Sequence, residues 1–118
     1  GLRSLSPKST GYNPTFEGNE SQRETAYHNG TAWPWLIGPY VEAYLNVYGF
    51  SGIHLAQRII YNFEEELTDR GVGTISELFD GNPPYRGRGG ISFAMSVGEI
   101  LRVHRLVKLW IDKMEATL

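Results

Sequence analysis

Cysteine is missing altogether from these 118 residues. Disulfides are therefore excluded, and the absence by itself leaves the compartment open. No run of about 18 apolar residues occurs, and nothing at the N-terminus reads as a signal peptide, so no membrane partner is expected. Charge of one sign is also scarce. The net charge is −2 and the isoelectric point about 5.9, which leaves no basic footprint for nucleic acid or acidic lipid. There is no metal-ligand spacing, phosphate loop, internal repeat or low-complexity tract. No cofactor and no metal is expected, and a soluble, cytoplasmic protein is the default.

What is present is enough for one packed domain. Apolar residues make up 41% and aromatics 13% of the chain, sufficient to bury a core. Residues 1–32 are rich in Gly, Ser, Thr, Asn and Pro and show neither helical nor strand periodicity. A long loop is expected there, and Tyr12, Phe16 and Tyr27 argue against plain disorder. The opening Gly1-Leu2-Arg3-Ser4-Leu5 starts abruptly in mixed polar sequence, as a piece of a longer chain would.

Three helices are expected. The first covers about 34–48: Pro34 suits a first helical position, Leu36, Ile37, Tyr40, Val41, Tyr44, Leu45 and Tyr48 form one apolar face, and Gly49 stops it. The second covers about 52–70, with Ser51 as N-cap, a stripe of Leu55, Ala56, Ile59, Ile60, Phe63 and Leu67, and Gly71 as stop. Glu64, Glu65 and Glu66 within it read as a solvated face. The third covers about 92–116, with Ser92 as N-cap and Met95, Ile100, Leu101, Val107, Trp110, Ile111 and Met114 buried. Loops precede the first and third helices. In an antiparallel hairpin arrangement those helix starts share one end, and a site would be assembled there.

Two stretches carry chemistry. Tyr27-His28-Asn29-Gly30-Thr31-Ala32-Trp33-Pro34-Trp35 places aromatics, an imidazole and an amide just before a helix. Aromatic faces stack on the C–H faces of sugars, while amide and imidazole groups bond hydroxyls. The same tryptophans could equally be core anchors, although the polar groups beside them are costly to bury unpaired. Gly73-Thr74-Ile75-Ser76-Glu77-Leu78-Phe79-Asp80-Gly81 sets Glu77 between apolar residues. By composition alone, a single loop glutamate is usually surface decoration. Arg86-Gly87-Arg88-Gly89-Gly90 has the form of one RNA-binding RGG element, a weak signal in an acidic chain.

Residues 27–39, from Tyr27 to Pro39, and residues 73–84, Gly-Thr-Ile-Ser-Glu-Leu-Phe-Asp-Gly-Asn-Pro-Pro, resemble two blocks of the C-terminal glucosidase domain of glycogen debranching enzymes (amylo-alpha-1,6-glucosidases). The opening Gly-Leu-Arg-Ser-Leu-Ser is similar to the approach to the first block. The likeness spans roughly residues 1–105, with the blocks in the family's order. It implies an all-α fold, the C-terminal portion of an (α/α)6 toroid, with residues 1–118 a C-terminal fragment of that domain.

The resemblance further implies inverting hydrolysis of alpha-1,6-linked glucose branch stubs by two carboxylates. Glu77 falls at the general base, and Tyr27, His28, Asn29, Trp33 and Trp35 fall where the glucose subsite is lined. The implied partners are a glycogen or limit-dextrin type glucan and the N-terminal remainder of the enzyme. The general acid lies upstream of this chain, and neither Asp69 nor Asp80 sits in its motif. In such a mechanism an acid protonates the leaving oxygen while the base activates water on the opposite face, the two carboxyls standing roughly 6.5–9.5 Å apart.

The chain also departs from the family pattern. The family's Gln and Trp at the start of the last helix are replaced by Phe93 and Met95, which leaves a non-catalytic glucan-binding or structural remnant as the alternative. Without its neighbours the fragment is expected to be inactive. It is also expected to self-associate through apolar faces, with Leu55, Ile59, Phe63, Leu106, Trp110 and Met114 as candidates.

Overall fold

A computed structural model describes residues 1–118. It contains β1 (Leu2–Arg3), α1 (Glu20–Asn29), β2 (Ala32–Trp33), α2 (Ile37–Tyr48), α3 (Ile53–Tyr61), β3 (Leu78–Phe79), β4 (Gly87–Arg88) and α4 (Ala94–Ala116), with short 3-10 turns at Pro34–Leu36, Gly49–Gly52 and Glu65–Thr68.

Helix α1 lies inside the segment expected to be loop. It starts with a reciprocal cap: the Gln22 N–H donates to the Asn19 side chain at 2.9 Å, and the Asn19 N–H donates to the Gln22 side chain at 2.8 Å. It lacks an apolar stripe because Ala26 is its only buried residue. The cap, rather than periodicity, specifies it.

Helix α2 is entered through Pro34, preceded by an extended Trp33, as sterics before proline require. It buries Ile37, Gly38, Val41 and Leu45. Gly49 closes it at φ 58°, its N–H donating to the Leu45 carbonyl.

The helix expected from about 52 to 70 ends at Tyr61. Glu64, Glu65 and Glu66 would otherwise add negative charge near the negative end of the helix dipole, and the chain instead turns there. The serine caps are also corrected. Ser51 donates to the Tyr48 carbonyl, and Ser92 accepts from the Thr74 hydroxyl, so neither caps a helix.

Helix α4 is the longest element and buries Ser96, Ile100, Val103 and Val107 along one face. It packs on α2 and α3 to form the core with Ile37, Val41, Leu45, Ile53 and Ala56. Gly38 of α2 faces α4 directly. A Cβ there would collide with the Glu99 carboxylate. Arg102 binds Glu99 at 3.0 Å and reaches across to Glu42 at 2.9 Å.

The fold is mostly helical, as expected, but it is not all-α: it also carries a small four-stranded antiparallel sheet in the order β1-β2-β3-β4. Its registers are Leu2 with Trp33, Arg3 with Ala32, Ala32 with Phe79, Leu78 with Arg88 and Phe79 with Gly87. Each strand has two residues, too few for an alternating pattern to be readable. The sheet positions the site. From the Ala32–Phe79 pair, moving one residue to Trp33 and two residues back to Glu77 leads toward the same end of the sheet.

Candidate functional site

Glu77 stands immediately before β3, at a turn against the start of α4. Its N–H donates to the Gly90 carbonyl at 2.9 Å. Its carbonyl accepts from the Ser96 hydroxyl at 3.4 Å. The carboxylate is held from two sides. Tyr27, on α1, donates its hydroxyl to Oε1 at 3.1 Å, and the Gly90 N–H donates to Oε2 at 2.8 Å. Gly89 lies under the same carboxylate at φ 66°, where a Cβ would overlap Oε2 and fall 3.0 Å from Cδ. Two oxygens with one donor each retain lone pairs for a further donor such as water.

Tyr27 joins this carboxylate to an aromatic cluster. Its ring centroid is 4.4 Å from Trp33 and 5.1 Å from His28, edge-on to both, and 6.0 Å from Phe16. Tyr27, His28, Trp33 and Trp35 line one open cavity of about 330 Å³ with Ser4 and Leu36. Burial raises the Tyr27 phenol above its ordinary value, and the hydrogen bond and charge of Glu77 raise it further, so the O–H stays in place as a donor.

The expected residues therefore gather only in part. Tyr27, His28, Trp33 and Trp35 share the cavity wall, and Glu77 sits behind Tyr27 rather than on that wall. His28 is exposed and pairs with Glu24 one turn earlier at 3.1 Å. The Asn29 side chain turns back to donate to the Thr25 carbonyl on its own helix. Its hydrogen bond completes α1 and does not point into the cavity. Phe93 is half-buried beside Gly90, while Met95 is exposed.

Asp80 has a different task. It is buried, takes a forked bond from Arg88 and accepts the Phe16 N–H at 3.0 Å. Arg88 of the RGG-like stretch is thus an intramolecular partner. A cavity of about 380 Å³ bounded by Gly1, Glu66 and Asp80 contains neither Glu77 nor a tryptophan. It includes the first residue of the chain in its wall.

Sequence reasoning missed Gly89, Gly90 and Phe16. For the glycines the available signal was the Gly-rich stretch itself, since consecutive glycines permit positive φ and close approach. For Phe16 no local signal exists.

The family model described as Amylo-alpha-1,6-glucosidase matches residues 1–102, which include the whole cavity and the Glu77 turn. Comparison with curated proteins returned no match, and comparison with solved structures returned none either. The family match extends well beyond the two motif blocks and reaches into the first part of α4. The chain belongs to the Amylo-alpha-1,6-glucosidase family and is a glycosidase-related domain.

Proposed function

We propose that this chain forms part of a glycoside hydrolase that removes alpha-1,6-linked glucose branch stubs from glycogen-like glucans, with Glu77 as the general base of an inverting mechanism. The observation that carries this reading is the carboxylate of Glu77 held by the Tyr27 hydroxyl and the Gly90 amide beside a cavity walled by two tryptophans. A base needs a fixed orientation toward water, and the sugar needs apolar faces to stack on. Trp33 and Trp35 offer those faces, and His28 offers a polar group at the rim. The general acid is contributed by the remainder of the enzyme, and the helices here belong to a larger (α/α)6 toroid.

The test is Glu77→Gln in the full-length protein. The expected result is intact circular dichroism with kcat lowered by at least about 100-fold, the low end for general acid–base work. Normal glucose release from limit dextrin by that variant removes Glu77 from the mechanism.

The second reading, a non-catalytic glucan-binding or structural remnant, draws on Phe93, which stands next to Gly90 and which, with Met95, departs from the pattern of the resembled family. It predicts that the full-length protein retains glucan without releasing glucose.

A further inference from the structure

We infer that Tyr27 is a positioning residue for Glu77 rather than a direct contact to sugar, an inference that rests on the reading of Glu77 as the base. The two residues lie 50 positions apart, and their contact is the only side-chain hydrogen bond Tyr27 makes. A glutamate has three rotatable bonds, so a carboxylate fixed at one oxygen can still swing. Glu77 is fixed at both: Gly90 holds Oε2 through the backbone, and Tyr27 holds Oε1 through a side chain. Hydrogen bonds to a charged acceptor are the stronger kind, and here they define the direction in which the remaining lone pairs point.

The surroundings of Tyr27 favour this role over stacking. Its ring is already met edge-on by Trp33 and His28, and Phe16 packs near it at a tilt. A ring so clamped acts as a rigid post for its hydroxyl. The clamp also couples the two halves of the site. A shift of Trp33 on sugar binding would be passed through Tyr27 to the carboxylate, because Tyr27 touches both. Gly89 completes the arrangement by leaving Oε2 the space that a side chain would take.

The experiment is a double-mutant cycle in the full-length protein with Tyr27→Phe, Glu77→Gln and the pair, assayed for glucose release from limit dextrin. Tyr27→Phe keeps the ring and its packing and removes only the O–H. The expected result is kcat lowered about 10-fold with KM within about 2-fold, since a misaimed catalytic group slows chemistry more than it weakens binding. In the Glu77→Gln background, Tyr27→Phe is expected to cost nothing more.

A KM rise with kcat unchanged would make Tyr27 a sugar contact and overturn the inference. Equal losses in both backgrounds would make it a structural residue, with the same consequence. Both results leave the base reading standing as long as Glu77→Gln alone is slow. Normal kcat in Glu77→Gln, or no glucose release by the unmodified protein, overturns the base reading and this inference together.

Discussion

Arg88 forks onto Asp80, its Nε and Nη2 lying 3.0 and 2.8 Å from Oδ2. The pair joins β4 to the residue after β3, and Asp80 extends the tie to the N-terminal segment through the Phe16 N–H. Asp80 is nearly inaccessible while Arg88 remains partly open. Removing the arginine would leave a buried carboxylate with only one neutral backbone donor among its side-chain contacts.

Arg88→Ala is therefore expected to destabilise the fold by about 3 kcal/mol, at the low end for breaking a buried pair because Arg88 is partly solvated. Chemical denaturation of the full-length protein checks this. A change below about 0.5 kcal/mol would show that the pair is no stronger than an exposed one.

On the proposed reading of Glu77 as the base, Gly89→Ala is expected to lower kcat by about 10-fold or more, because the added methyl intrudes on the Glu77 carboxylate and displaces it. The positive φ adds strain of about 1 kcal/mol to the same variant. Activity and unfolding midpoint should be measured together. An unchanged rate would mean that the carboxylate orientation tolerates displacement.

Titration of the tyrosines offers a test without substrate. Seven tyrosines are present, and Tyr27 is held above the ordinary value of 10.0 by burial first and by Glu77 second. A spectrophotometric titration should show a late phenolate that disappears in Tyr27→Phe. The sign for stability follows from linkage. A folded-state value raised above the unfolded one gives stabilisation that is complete below pH 10 and is lost as pH rises through the folded value. Unfolding midpoints should thus fall above that pH, and less so in Tyr27→Phe.

The isolated chain is expected to self-associate and to release no glucose. The surfaces responsible differ from those expected from the helical stripes. Phe63 is buried, and Ile59, Leu106, Trp110 and Met114 pack half-buried against the core. Instead Val47, Tyr48, Tyr61, Leu101 and Leu109 stand exposed along the helices. Exposed apolar surface of this kind favours association when it forms contiguous patches. Light scattering coupled to sizing chromatography, run beside a glucose-release assay, checks both halves. A monodisperse monomer with measurable turnover would mean that another carboxylate in this chain supplies the proton.

The parts legible in the sequence were those with a local signal. Helices α2 and α4 announce themselves through apolar stripes, and Gly49 marks a stop that the backbone uses. Helix α1 was hidden because it buries one alanine, although its Asn19–Gln22 cap was there to be read. The hydroxyls of Ser51 and Ser92 look like caps by position yet serve neighbouring turns. Glu77 stood out only by family resemblance. Its neighbours Tyr27 and Gly90 are brought to it by strand pairing and a turn, and contacts across 50 residues leave no trace in local periodicity.

The four-stranded sheet has a consequence for local opening. Its strands are drawn from distant parts of the chain, with all of α2 and α3 lying between β2 and β3. Pairing β2 with β3 therefore closes a long loop for a few ladder bonds, a poor return on the entropy. The α2–α4 contact around Gly38 closes a loop that is longer still, but it gains the buried apolar stripe of α4 in exchange. The sheet is thus the weaker part and opens first. Amide hydrogens of Ala32, Leu78 and Phe79 should then exchange with solvent well before those of Val41 and Val103, so the surroundings of Glu77 come apart while the helical layer still holds.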